Sequence, residues 1–399
     1  MNAPHYPLSG ITVVDLGQIY NGPYCTFLLA MAGARVIKVE PPGGENLRRR
    51  TAVGGGAIPF AMLNSNKRFV TLNLKQPRGR ELLIDMVRRA DVLVENFAPG
   101  TLDRLGVGFE TLRWQNPRLL YASGSGFGLS GPNRHYPAMD LTVQAMAGVM
   151  SVTGFPENPP VKAGPALADF FGGVHLYAAL VTALFDRERT GIGRRVEVSM
   201  QEAVFPSLAS NLGRLAAAGG ASATRTGNRH GGLAESPYNV YPTADGFIAI
   251  LCVGETHWDA LLGAMGREDL RGDPRYSTLA ARVLNMDSVD QLVEEFTRRQ
   301  TKQALFENLV RLRVPCAPVR ELAEVVTDPH LHARRALENV DHPLYGRMVL
   351  PNSPLRFEGL PPLTIEPSRE LGADNAEIYR EWLGLTADEV QTLERDRVI

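Results

Sequence analysis

ITVVDLGQIYNGPYCTFLLAMAGARVIKVE, residues 11–40, decides the fold. Its first six residues form a β-branched run, residues 23–32 carry a helical pattern, and RVIKVE (35–40) is a second strand-like run. Strand, helix and strand in this order are the signal of a βαβ unit, in which a crossover helix joins two parallel strands. The pattern continues through FVTLNL (69–74), a helix with Pro77 in its first turn, DVLVENF (91–97) and LLYASGS (119–125). These runs are almost continuously apolar, as a parallel sheet covered by helices on both faces requires. The expected fold class is α/β, with a Rossmann-like parallel-sheet large domain.

Further along, FFGGVHLYAALVTALFDRER (170–189) reads as a helix that Gly191 stops, followed by a strand-like RRVEVSM (194–200). AAAGGASATRTGNRHGG (216–232) has little periodicity and reads as linker. Beyond it, strand-like runs flank a turn at Asp245-Gly246, and helical patterns cover 256–265, 289–298 and 303–313, a smaller α+β grouping. Strand-like pieces at 347–350 and 355–357 and a charged helical end are too little for an independent core, so the tail is expected to return to the large domain. The expected organisation is a large domain over 1–200, a linker over 201–232, a small α+β domain over 233–330 and a returning segment over 331–399.

The 399 residues are 44% hydrophobic and 21% charged, which fits a folded chain of two or three domain-sized units. Forty-two Lys and Arg against 43 Asp and Glu leave no cationic surplus for a polyphosphate backbone, so nucleic acid is not an expected partner. Cys25, Cys252 and Cys316 are far apart and form no CxxC pair, which fits a reducing, cytoplasmic setting. MNAPHYPLSG lacks a signal peptide's charged and apolar regions. No apolar run approaches the about 20 residues that span a bilayer, so no membrane partner is expected.

Several motifs admit two readings. Gly126-x-Gly128-x-x-Gly131 follows a strand and matches a dinucleotide fingerprint, but Pro132 to Pro137 replace the helix start that would face a pyrophosphate. A nicotinamide-dependent oxidoreductase would rest on this loop alone. His330-x-His332 has no cysteine or carboxylate at ligand spacing, so no metal is expected. Asp169 in PALADFFGG precedes the long helix: it is either an N-cap or a carboxylate nucleophile flanked by small residues that admit a substrate. Asn96-Phe97-Ala98-Pro99-Gly100, ahead of Arg104, is either a plain turn with an exposed charge or a ligand site at the carboxyl edge of the sheet.

Taken together, PLSGITVVDL, GARVIKVEPPGG, LNSNKRFVTLNLK, ADVLVENFAPGTLDRLG, YASGSGFGLSGP, ALADFFGGVHLYAALVTAL and VPCAPV resemble the family III coenzyme A transferases. The resemblance implies that Asp169 is the nucleophile and that Asn96, Phe97, Gly100 and Arg104 contact the nucleotide of coenzyme A. It implies acyl-CoA and small carboxylate substrates, with succinyl-CoA the favoured donor, and no permanently bound cofactor. It also implies a homodimer of two interlocked, ring-like chains.

A racemase of acyl-CoA thioesters shares this fold and places a histidine before an aspartate, where this chain has Ala138-Met139-Asp140. Methionine cannot abstract a proton, which favours the transferase reading. Tyr20 stands where formyl-CoA transferase has a glutamine, and no tetraglycine loop occurs near Val253-Gly254-Glu255, so a larger or differently shaped acceptor than oxalate is expected. Arg48, Arg49, Arg50, His135 and Arg229 are candidate partners for a second carboxylate, each with a surface-charge alternative. Backbone N–H groups at Gly254 or Gly231-Gly232 are candidate oxyanion donors, and Glu255 reads as a helix-dipole partner. A non-catalytic CoA-binding protein is the remaining alternative.

Overall fold

In the computed structural model, which describes residues 5–50, 57–220 and 225–399, six parallel strands form the principal sheet. They are β1 (Thr12–Asp15), β2 (Arg35–Glu40), β3 (Lys67–Thr71), β4 (Val92–Glu95), β5 (Leu120–Ser125) and β6 (Arg195–Ser199), in the order β3-β2-β1-β4-β5-β6. This is the doubly wound order, with its reversal between β1 and β4. Successive residues of β1 serve opposite faces. Val13 joins Val36, Val92 and Val94 in a core with Cys25 and Leu29 of helix Asn21–Met31 and Leu176, Leu180 and Leu184 of helix Leu167–Thr190. Val14 joins Ile37, Val70 and Leu93 in a second core with Leu82, Leu83 and Met86 of helix Pro77–Arg89. Burial on both faces is why these strands read as continuous apolar runs.

Contacts divide the chain into two compact units. The first comprises Met1–Val143, Pro165–Val204 and Val326–Ile399; the second comprises Gln144–Gly164 and Phe205–Val325. Within the first, the chain's end belongs to the core of the sheet: Ile378, Tyr379, Leu383, Val390 and Leu393 pack in the Val14 cluster. Tyr379 Oη donates to the Thr71 carbonyl at 2.6 Å, and Asp374 Oδ2 accepts from the Phe69 N–H at 2.7 Å. Within the second unit, β7 (Tyr238–Thr243) and β8 (Gly246–Leu251) form the expected hairpin, with β9 (Cys316–Pro318) antiparallel to β8. Trp258, Leu261, Val289, Val293, Leu305 and Leu309 fill the core beside them.

Several sequence expectations shift. Residues 144–164 group with the second unit, not with the first 200 residues. Part of the expected linker, 201–232, is helical: a 3-10 turn Phe205–Leu208 and a helix Ala209–Ala217 lie within it, and residues 221–224 lie outside the described residues. Residues 355–357 are not a strand; β11 (Gly346–Pro351) pairs instead with β10 (Leu337–His342). Helix Leu167–Thr190 is also long and apolar enough to cross a membrane by length and composition, a property the sequence reading missed. It packs against helix Asn21–Met31 and against β5 and β6, with Leu176, Leu180 and Leu184 buried in the core of this unit.

Candidate active site

The reversal of strand order leaves a crevice at the carboxyl ends of β1 and β4, and hydrogen bonds tie the loops there together. Asn96, directly after β4, grips the loop after β1 at two points. Its Oδ1 accepts from the Gln18 N–H at 2.7 Å, and its Nδ2 donates to the Gln18 carbonyl at 2.9 Å. Beneath that loop lies a buried ionic cluster. Asp15 Oδ1 accepts from the Gly17 N–H at 2.8 Å, and Lys38 Nζ donates to the Gly17 carbonyl. Lys67 Nζ lies 2.9 Å from Asp15 Oδ2, 2.8 Å from Thr26 Oγ1 and 3.1 Å from Asn64 Oδ1. Burial would raise the Asp15 carboxyl, but Lys67 and Lys38 outweigh it and hold it below the usual carboxylate range.

Above these loops opens a cleft of about 540 Å3, whose lining includes Gln18, Asn96, Phe97, Arg104, Gly124 and Asp169. Asp169 is the third residue of helix Leu167–Thr190, not the residue before it, so the N-cap reading does not hold. The cap is supplied from elsewhere: Asp140 Oδ1 accepts from the Ala168 N–H at 2.8 Å and the Asp169 N–H at 3.3 Å. The Asp169 side chain is thereby released from capping. It is 8% exposed and, among the described residues, its carboxylate accepts no hydrogen bond. Burial first, and then the neighbouring Asp140, push its carboxyl up to about 7.

Phe97 packs partly buried on the Val14 core, and its N–H donates to Glu95 Oε2 at 2.9 Å. Burial pushes the Glu95 carboxyl up to about 7 against the hydrogen bonds from Ser123 and the Phe97 N–H. Gly100, at φ +78°, opens the short helix Thr101–Arg104, and Arg104 Nη2 donates to Thr101 Oγ1 at 3.0 Å. Gly100 and Arg104 also line a second pocket of about 270 Å3 with Glu95, Arg134, His135 and Arg195.

The remaining candidates separate clearly. Arg48 donates to Glu40 through Nε and Nη2 and to the Arg369 carbonyl through Nη1, and lies over the Phe60 ring. Arg49 Nη2 donates to Asn46 Oδ1. Arg50 and His135 line the cleft, and His135 Nε2 accepts from Arg134 Nε at 2.9 Å. In the second unit, Arg229 is paired with Asp287 and Asp290, both at 2.6 Å. Glu255 ties helix Glu255–Met265 to Leu279 and Arg282, and Gly254 precedes that helix. The Gly232 N–H donates to His230 Nδ1 at 3.3 Å, and Gly231 lies beside Asn211.

No helix opens after Gly126-x-Gly128-x-x-Gly131 before Asp140, so the loop does not aim a helix start at a pyrophosphate. Gly126 instead meets Ala138, whose Cβ a side chain at 126 would approach to 2.0 Å. In helix Pro329–Ala333, His332 Nε2 bonds with the Val326 carbonyl at 2.9 Å. Tyr20 packs against Phe170 with ring centroids 5.9 Å apart; burial and then Asp169 raise its hydroxyl above the usual range. Asn21, buried in the wall of the same cleft, is among the cleft residues without a sequence signal.

Residues 8–375 match the model of CoA-transferase family III. The chain belongs to this family. As a family III CoA-transferase it is an enzyme of the EC 2.8.3 type. It is 39% identical to the acetyl-CoA:oxalate CoA-transferase of Acetobacter aceti, over 89% of this chain and 90% of that one. It is 38% identical to the succinyl-CoA:mesaconate CoA-transferase of Haloarcula marismortui, over 88% and 90% of the two chains. A crystal structure of a CaiB/BaiF family protein from Brucella suis superposes with a TM-score of 0.82 at 33% identity, covering 95% of this chain and all of that one.

Proposed function

We propose that this family III CoA-transferase moves coenzyme A from an acyl-CoA donor, with succinyl-CoA favoured, to a small carboxylate acceptor through covalent intermediates on Asp169. The observation that carries the reading is the Asp169 carboxylate: buried, excluded from capping by Asp140, and opening on the same cleft as Asn96, Phe97 and Arg104. Asn96 positions the wall of the cleft by fixing Gln18, while Phe97 and Arg104 offer a ring and a guanidinium to the nucleotide. An adjoining apolar pocket of about 190 Å3, lined by Leu16, Val39, Leu72, Leu74, Phe97 and Leu105, suits a flat heteroaromatic ring.

In the first step an Asp169 oxygen attacks the thioester carbonyl carbon, the C–S bond breaks, and coenzyme A leaves as thiolate from an aspartyl-acyl anhydride. The thiolate then attacks the aspartyl carbonyl carbon and expels the donor's carboxylate, leaving an aspartyl-CoA thioester. The acceptor carboxylate displaces the thiolate from that carbon. The thiolate finally attacks the acceptor's acyl carbon and returns Asp169 as carboxylate. No net proton, water or nucleotide triphosphate is consumed, so the site has to exclude water from the anhydride and bind each oxyanion.

Tyr20 and the residues around Val253 point away from oxalate, whereas a relative with 39% identity is named for it. The acceptor is therefore assigned only as a small carboxylate. Racemisation has no observation in its favour, because Met139 occupies the place of the base. Replacing Asp169 by Ala is expected to lower CoA transfer between succinyl-CoA and a panel of dicarboxylates by at least about 10^3-fold with the circular dichroism unchanged. A variant with wild-type turnover would end this reading.

A further inference from the structure

Asn21 is the first residue of helix Asn21–Met31, and Tyr20 before it supplies no side-chain cap. Its side chain is 2% exposed, and among the described residues neither Oδ1 nor Nδ2 has a hydrogen-bond partner. Two glycines from other elements make room for it. A Cβ at Gly124, on β5, would lie 2.3 Å from Oδ1, and a Cβ at Gly172 would lie 2.1 Å from Nδ2. Asn21 and Gly124 line the cleft that Asp169 lines. Gly172 follows Asp169 by three residues and so shares its face of helix Leu167–Thr190. A desolvated amide with both ends unpaired is rare in a folded chain and calls for a role, such as binding a water or a ligand.

We propose that Asn21 is a substrate-contacting residue whose Nδ2, on the side of the Asp169 helix, donates a hydrogen bond to the carbonyl oxygen of the acyl group transferred to Asp169. Oδ1, on the Gly124 side, accepts from an N–H of the pantetheine arm. The proposal rests on the Asp169 reading above and adds the donor that reading lacks: a fixed N–H for the oxyanion formed when Asp169 attacks the thioester. The glycines at 124 and 172 are then part of the device, because any side chain at either would displace the amide.

The test compares wild type with Asn21→Leu, which keeps the branching at Cγ and removes both polar atoms, and with Asn21→Ala. Each is mixed at saturating concentration with whichever of succinyl-, acetyl- and formyl-CoA labels wild-type Asp169 fastest. Acylation is read by hydroxylamine quench and mass spectrometry, per folded molecule by near-ultraviolet circular dichroism. The expected result is acylation of Asp169 slowed about 100-fold in both variants, with each variant folded at the assay temperature. Acylation within threefold of wild type in a folded variant overturns the proposal, as does a slowing that only follows a fall in folded protein. If wild type is not labelled by any of the three thioesters, the Asp169 reading itself fails and Asn21 loses its role with it.

Discussion

A carboxylate in the first turn of a helix is ordinarily favoured in its ionised form by the aligned peptide dipoles. Asp169 sits in that turn and shifts the opposite way, to about 7, because burial and the facing Asp140 outweigh the dipole. Between the unfolded value near 3.8 and the folded value near 7, the native state holds a proton that the unfolded state has released. Stability therefore falls as pH rises through that window and is level above it. Asp169→Asn cannot ionise, so its advantage over wild type in urea unfolding is expected to grow from pH 4 to pH 7, reaching on the order of 2–4 kcal/mol. A pH-independent difference would contradict the assigned shift. Glu95 titrates near the same pH, and the comparison at position 169 isolates one carboxyl from the other. As the proposed nucleophile, Asp169 is competent in its ionised form, so kcat/KM is expected to rise with pH through about 7.

The elements explain why Asp169 is available and why its setting was only half legible in the sequence. PALADFFGG marks a helix start, but not that Asp140, 29 residues earlier, would accept the N–H bonds of 168 and 169. A cap from a distant segment leaves no local pattern. The loop after β4 poses the same difficulty: NFAPG reads as a ligand turn, whereas the Asn96 amide is engaged with the Gln18 backbone, in the loop after β1, at 2.7 and 2.9 Å. Losing both bonds in Asn96→Ala is expected to cost about 1–2 kcal/mol of stability and to raise the KM for acyl-CoA several-fold, with kcat less affected. A KM equal to wild type would show that the loop holds its shape without the clamp. Asn21 was illegible because its surroundings, Gly124 and Gly172, lie more than 100 residues away and are silent in a periodicity reading.

At the scale of the molecule, the parallel sheet was legible because each central strand is buried on both faces, and helices Pro77–Arg89 and Asn21–Met31 show their pattern beside it. The return of the C-terminal tail to this unit was legible too, but other groupings made by long-range contact were not. Residues 144–164 join a unit otherwise built from 205–325, and short apolar pieces such as 355–357 carry strand-like residues without a pairing edge. The family resemblance implies an interlocked homodimer, and light scattering of the purified chain is expected to give twice 43.6 kDa. A monomeric mass at micromolar concentration would rule that assembly out.

The central claim is that acyl transfer passes through Asp169, and mass spectrometry of the peptide containing it is the most direct measurement. The protein is incubated with succinyl-, acetyl- or formyl-CoA and quenched with hydroxylamine, with Asp169→Ala and CoA-free samples alongside. A hydroxamate on Asp169 of the wild-type protein, absent from both controls, is the expected result. An unmodified Asp169 with all three donors, under conditions where CoA is transferred, would contradict the account.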